Sequence, residues 1–255
     1  MLRFIALTFL LNFATSALSS DLPEPSLKDI RYSDEYKRSV MDIWLTNTSQ
    51  PAPVLVYFHG GGFKGGDKTR IHQKKIYNNV TDLGVVLVSV NYPFIHQLGY
   101  EEPYDASNPA PVEFYHAVIK EAYKSIVYVK KNANKYGINP DKVMISGSSA
   151  GATIAEVIGL SLDNSVIGLL PTAHPSKSTA QIISLIDQND PPMVIWSPSG
   201  PKDKIHHPKG SKQLYDACID RGLDCDLFGI PRRNGLPALP MGKTPVDVLF
   251  EKVLR

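Results

Sequence analysis

Four short apolar runs set the tightest limit on what this chain can fold into: Val54-Leu55-Val56-Tyr57-Phe58, Val85 to Val90, Val143 to Ser146 and Met193 to Trp196. They are rich in β-branched residues and nearly continuous, which suits strands covered on both faces, as in a parallel sheet. Parallel neighbours need crossovers, and amphipathic segments lie between the runs. From Tyr115 onward, Val118, Ala122, Ile126, Val129 and Ala133 recur at spacings of three and four, one helical face. Pro208 opens another helix and Gly222 closes it, with Leu214, Ala217 and Cys218 as its apolar side. The alternation predicts an α/β fold with one sheet and helices on both sides. No repeat or low-complexity tract breaks it. The Pro- and Asn-rich stretch from Tyr100 to Pro111 reads as a long surface loop after the strand ending at Val90.

The 255 residues are enough for one large domain, and 43% hydrophobic against 20% charged residues fits a packed core. Lys plus Arg total 27 and Asp plus Glu 25, so the net charge of +2 leaves no electrostatic footprint for nucleic acid. Two cysteines build neither a disulfide scaffold nor a four-thiolate zinc site, and no cofactor or metal is expected. Met1-Leu2-Arg3, the apolar run Phe4 to Leu11 and the small residues Ala17-Leu18-Ser19 have the layout of a secretory signal peptide. Residues 1–19 are therefore expected to be removed, leaving a single domain over 20–255 in a secreted or periplasmic protein. No stretch of the mature chain is long enough to span a membrane. Export would permit a bond between Cys218 and Cys225, and Asn47 and Asn79 head glycosylation sequons. Nothing in the residues sets the oligomeric state.

Two motifs carry chemistry. Gly147-Ser148-Ser149-Ala150-Gly151 follows a strand-like run and precedes the helical run Ala152 to Leu162. That is the context of a G-x-S-x-G nucleophile elbow, in which a sharp turn presents the serine oxygen above the sheet. The helix start behind it favours developing negative charge. His59-Gly60-Gly61-Gly62-Phe63 directly follows the run Val54 to Phe58. Successive glycines let backbone N–H groups converge on one point, as acyl transfer requires for the oxyanion of its tetrahedral intermediate. A phosphate-binding loop would continue with Gly-Lys-Ser/Thr, and this one continues Phe-Lys-Gly-Gly.

With these motifs in this order the chain resembles the α/β-hydrolase superfamily. The nearest likeness is to the HGGG-type carboxylesterases and lipases of the hormone-sensitive-lipase-like and feruloyl-esterase-like kinds. The likeness runs over residues 38–230 and includes Val90-Asn91-Tyr92 and Tyr136-Gly137-Ile138-Asn139-Pro140-Asp141. It implies an eight-stranded, mostly parallel sheet, and the short stretch between the strands near Val166 and Met193 leaves room for a minimal lid only. It also implies Ser149 as nucleophile, oxyanion donors from Gly61, Gly62 and Ala150, and Asp203 as the acid just past the strand Met193 to Trp196. His59 is expected to be structural. The substrate class implied is a small ester, and a pocket between the elbow and the loop Tyr92 to Pro111 is expected to set specificity.

A serine needs a base, and the resemblance places a histidine after the last strand, here Leu223 to Ile230. Asn234 stands in that position, and an amide cannot accept a proton near neutral pH. The seven histidines are at 59, 72, 96, 116, 174, 206 and 207. His206 or His207 could supply the base from the Asp203 loop, although a carboxylate so close in sequence must fold back to reach the ring. His174 is a third possibility. Two readings follow: a secreted serine esterase forming an acyl-enzyme on Ser149, or a weak or inactive hydrolase fold that binds a ligand or partner. On the first, Asn234→His should raise hydrolysis if its loop reaches Ser149 and Asp203, but do little if His206 or His207 is the base, in which case changing that histidine to Ala should cripple the protein. Gly61→Val should abolish activity with little loss of fold.

Overall fold

The structure, a computed structural model, describes residues 21–99 and 112–254. The leader and the loop expected at Tyr100 to Pro111 lie outside the described residues. The strands are β1 (Leu27–Arg31), β2 (Val40–Trp44), β3 (Ala52–Phe58), β4 (Val86–Val90), β5 (Ile138–Ser148), β6 (Val166–Thr172), β7 (Met193–Ser197) and β8 (Cys225–Gly229). The helices are α1 (Val112–Lys131), α2 (Ala133–Tyr136), α3 (Ala150–Val157), α4 (Thr179–Leu185), α5 (Pro208–Asp220), α6 (Pro231–Asn234) and α7 (Pro245–Val253). All eight strands form one sheet in the order β1-β2-β4-β3-β5-β6-β7-β8. β2 runs antiparallel to β1 and β4, and every other pairing is parallel. This is the eight-stranded, mostly parallel sheet that the resemblance implies.

Alternate residues of each central strand enter different cores, since successive side chains point to opposite faces. In β3, Val54, Val56 and Phe58 join one hydrophobic cluster and Leu55 and Tyr57 the other. Helices α1, α3 and α5 cover the first face through Val118, Ile126, Ile154 and Leu214. Helix α7 and the short helical turns Lys68–Gln73 and Lys75–Tyr77 cover the second through Leu249, Ile71 and Tyr77. Burial on both faces is why these strands read as unbroken apolar runs.

β1 and β2 give no such signal. β1 is an edge strand with exposed Lys28 and Asp29, and β2 carries Asp42. The Asp42 carboxylate is buried but paired with Lys68 Nζ at 2.9 Å, which offsets the cost of taking it out of water. Cys218 on α5 and Cys225 on β8 are buried free thiols in contact with each other. Asn47 is exposed, whereas the half-buried Asn79 directs Nδ2 at Asp247 Oδ1, 3.4 Å away. Among the described residues no helix is long and apolar enough to cross a membrane.

Candidate active site

The parallel strands deliver their following segments to one edge of the sheet, the carboxyl end where open α/β sheets bind ligands. Ser149 directly follows β5 and caps α3. Its backbone has φ 56° and ψ −121°, a conformation rare for a residue with a side chain. Such strain costs on the order of 1–3 kcal/mol and persists only where the surroundings over-determine it. Here the Ser149 amide donates to Thr172 O at 3.0 Å, and its carbonyl accepts from the amides of Ala152 at 2.8 Å and Thr153 at 3.2 Å. Thr172 Oγ1 also donates to Gly147 O at 3.0 Å. β6 and the first turn of α3 thus clamp the elbow from both sides.

His206 lies opposite. Its Nε2 is 2.9 Å from Ser149 Oγ, and its Nδ1 is 3.1 Å from Asp203 Oδ2. A proton on Nδ1, donated to the carboxylate, leaves the Nε2 lone pair facing the serine hydroxyl. The carboxylate folds back in the way its sequence proximity demands. Asp203 Oδ1 accepts from the amides of Ile205 at 3.0 Å and His206 at 2.9 Å, an aspartate-led turn. Oδ2 accepts from Ser199 Oγ at 2.9 Å. Burial pushes the Asp203 carboxyl up, but the His206 amide and ring and the Ser199 hydroxyl outweigh it. They hold the group well below the usual carboxylate range, so it is ionised throughout the neutral range.

The other histidines near this edge are otherwise engaged. His207 accepts from the Lys209 amide at 3.1 Å and caps α5. His174 is fully buried, with Nδ1 at 2.7 Å from Glu156 Oε1 and Nε2 at 2.9 Å from Thr179 Oγ1. Asn234 spends its amide on backbone groups: Nδ2 donates to Ser197 O and Ser199 O, and Oδ1 accepts from the amides of Ile230 and Leu236.

Gly61, Gly62, Ser149, Ala150 and His206 line one cavity of about 340 Å³. Ala150 opens α3, so its amide belongs to the first helical turn, whose N–H groups have no intrahelical acceptor. Phe63 and Tyr115, stacked with ring centroids 4.2 Å apart, form an apolar wall. Gln181 of α4 and the preceding Lys177 and Ser178 also line it. Among the described residues the lining therefore comes from the glycine turn, the elbow, α1, the segment after β6 and the Ile205–His206 turn. None of the described residues of the expected Tyr92 to Pro111 loop lines this cavity. No three His, Cys, Asp or Glu side chains among the described residues gather as a metal-binding set.

The glycine loop is a built turn. Gly61 O accepts from the amides of Lys64 and Gly65, both at 3.1 Å, and Gly61 has φ 138°. A Cβ there would fall 1.9 Å from Gly65 O, so Gly61→Val cannot leave the loop intact as expected from sequence.

His59 anchors the turn from beneath. Its Nδ1 donates to Gly60 O at 2.9 Å, and Nε2 accepts from Arg38 Nη2 at 3.4 Å. Arg38 also donates to Gly66 O, Asn91 Oδ1 and Tyr92 O, and lies 4.0 Å over the Phe94 ring. This brace carried no motif. Burial pushes the His59 imidazole down to about 4, Arg38 adds to the effect, and the Gly60 carbonyl opposes it.

The unfolded chain takes up this proton near 6.5, the folded protein only near 4. Between those values the unfolded state binds more protons, so stability falls as pH falls, by about 3 kcal/mol across the window. Urea midpoints at pH 7 and pH 4.5 should differ accordingly. His59→Asn, which keeps a donor for Gly60 O but cannot titrate, should shrink the difference. An equal difference in both proteins refutes the assignment.

A hydrogen-bonded Ser-His-Asp set at the carboxyl end of this sheet, beside a glycine-lined turn, defines the class: an α/β-hydrolase. The chain belongs to the BD-FAE family, whose model matches residues 41–170, 130 of its 255 residues. The matched region holds the glycine turn and the elbow, while Asp203 and His206 lie beyond it. Esterase LipI of Mycobacterium tuberculosis is 33% identical over 107 residues, 42% of this chain and 28% of LipI. Mouse bile salt-activated lipase is 28% identical over 188 residues, 70% of this chain and 29% of the lipase. The chain thus spans less than a third of the length of these curated relatives.

Among solved structures, a truncated carbohydrate esterase from gut microbiota superposes with a TM-score of 0.62 at 17% identity, over 85% of this chain and 89% of that one. Native esterase 2 of Thermogutta terrifontis gives a TM-score of 0.62 at 16% identity, over 91% and 89%. At these identities the likeness is one of fold.

Proposed function

We propose that this protein is an exported serine carboxylesterase that cleaves small esters through an acyl-enzyme on Ser149. The observation that carries the reading is the line from Ser149 Oγ through His206 to Asp203, at 2.9 and 3.1 Å. His206 Nε2 takes the hydroxyl proton as Ser149 Oγ attacks the ester carbonyl carbon. The amides of Gly61, Gly62 and Ala150 receive the resulting oxyanion. Collapse breaks the bond to the alcohol oxygen, which leaves with the proton from Nε2. Water then gives a proton to Nε2 and attacks the acyl-enzyme, releasing the acid and restoring Ser149. Asp203 remains ionised and holds the Nδ1 proton.

The apolar Phe63–Tyr115 wall and the modest cavity suit a small or aromatic group on the ester. The names of the relatives, an esterase and a carbohydrate esterase among them, point the same way. The Met1 to Ser19 segment supports export. The alternative of a binding module follows from the lack of a histidine at position 234; the 2.9 Å approach of His206 Nε2 to Ser149 Oγ favours the esterase reading.

The test is covalent. A fluorophosphonate probe should label the purified protein, and Ser149→Ala should abolish labelling together with hydrolysis of p-nitrophenyl acetate. A wild type that fails to label at any pH between 5 and 9, or one whose labelling survives the substitution, overturns the proposal.

A further inference from the structure

Asn234, at the position where the resemblance places the base, has work of its own. Asn234 ends the four-residue helix α6 after β8, and its side chain forms four hydrogen bonds, all to backbone. Oδ1 accepts from the amides of Ile230 and Leu236, both at 3.2 Å, which fixes the amide within its own turn. Nδ2 donates to Ser197 O at 2.6 Å and to Ser199 O at 3.0 Å, across to the segment leaving β7. Arg233 Nη1 takes the carbonyl between them, Pro198 O, at 3.2 Å. Three successive carbonyls of the loop that carries Asp203 and His206 are therefore held from one point.

The approach is close. A Cβ at Gly229 would lie 2.8 Å from both Asn234 amide atoms, so the side chain packs flat against bare backbone. From this point a chain of contacts runs to the serine. Ser199, its carbonyl held by Asn234, donates Oγ to Asp203 Oδ2 at 2.9 Å, and Asp203 in turn holds His206.

We infer that Asn234 is a positioning residue for the Ser149–His206–Asp203 set, acting through Ser199 on the Asp203 carboxylate. The inference rests on the esterase reading above. A loop that leaves a strand end and carries both acid and base lacks the usual support, in which the two groups come from separate loops. Its geometry needs an external anchor, and Asn234 supplies one with an acceptor and two donors in a single side chain. A histidine has one donor at most when neutral and cannot reproduce this pattern. Asn234→His should therefore lower hydrolysis, rather than do little, as the sequence alone predicts once His206 is the base.

The experiment compares wild type, Asn234→His, Asn234→Asp and Ser199→Ala on p-nitrophenyl acetate, with rates normalised to fluorophosphonate-titrated sites so that unfolded protein drops out. Asp keeps the acceptor but loses both donors, and Ala at 199 removes a single hydroxyl at the far end of the link. Misplacing a catalytic group by about 1 Å can cost ~10²-fold. Both Asn234 variants should thus lose about 10- to 100-fold in kcat, and Ser199→Ala several-fold, with KM within about twofold.

A structural role alone would lower Tm without changing kcat per titrated site. Full kcat per site in Asn234→Asp and Ser199→Ala, or a gain in Asn234→His, overturns the latch while leaving the triad standing. Hydrolysis that survives both Ser149→Ala and His206→Ala overturns the triad, and the latch with it.

Discussion

His206→Ala should lower kcat for ester hydrolysis by on the order of 10⁴-fold, while His207→Ala should leave it within about twofold. The two rings are neighbours in sequence and differ in where they point. His206 Nε2 stands 2.9 Å from Ser149 Oγ, whereas His207 Nδ1 accepts from the Lys209 amide at the start of α5. Removing His206 leaves the hydroxyl with no acceptor for its proton and leaves Asp203 facing an empty space. Removing His207 deletes a helix cap, an effect on stability of about 0.5–1 kcal/mol and not on chemistry. Steady-state kinetics and thermal melts on the two variants separate these outcomes. Equal losses in kcat, or a loss confined to His207→Ala, would refute the assignment of the base.

Substitution at Gly61 should remove activity by at least about 10²–10³-fold and lower Tm as well, because two effects combine there. On the proposed mechanism its amide meets the oxyanion, and its carbonyl closes the turn by accepting from Lys64 and Gly65. Any Cβ would sit 1.9 Å from Gly65 O, so the turn must open. Gly62 offers the contrast. Nothing lies within 4 Å of a Cβ there, and the obstacle is only its φ of 62°. Gly62→Ala should cost about 1–2 kcal/mol of backbone strain with measurable residual turnover. kcat and Tm for Gly61→Ala and Gly62→Ala check the ordering. Equal activity in the two variants would mean that the turn is not what holds the oxyanion donors.

The central sheet was legible because burial on both faces leaves an unmistakable trace. Val54 to Phe58 divides its side chains between two cores, so every position must be apolar. The elbow was legible for a similar reason: a serine forced to φ 56° between tightly packed turns needs small neighbours, and Gly147, Ala150 and Gly151 provide them. β1 and β2 were not, since an exposed edge and a buried Asp42 paired with a distant lysine leave no periodic signal. The Arg38 brace beneath the glycine turn was invisible for the same cause. Its partners His59, Gly66, Asn91 and Tyr92 converge only when β2, β3 and β4 are laid side by side.

Local chemistry thus determined what the residues near this site can do: Ser149 can attack, glycine amides can hold an oxyanion, Asp203 can carry charge and His206 can take a proton. Each of these capacities belongs to a side chain or a short turn, and short-range covalent geometry limits it. Which histidine faces the serine is a different kind of fact. It depends on a turn in which Asp203 captures the amides of Ile205 and His206, and on Ser176 donating to Ile205 O at 2.8 Å. It depends also on Asn234 holding Ser197 and Ser199 across some thirty-five residues of chain. Hydrogen bonds between segments so far apart exist only once β5, β6, β7 and β8 are paired, so the sheet and not the local sequence selected His206 and turned Asn234 into an anchor.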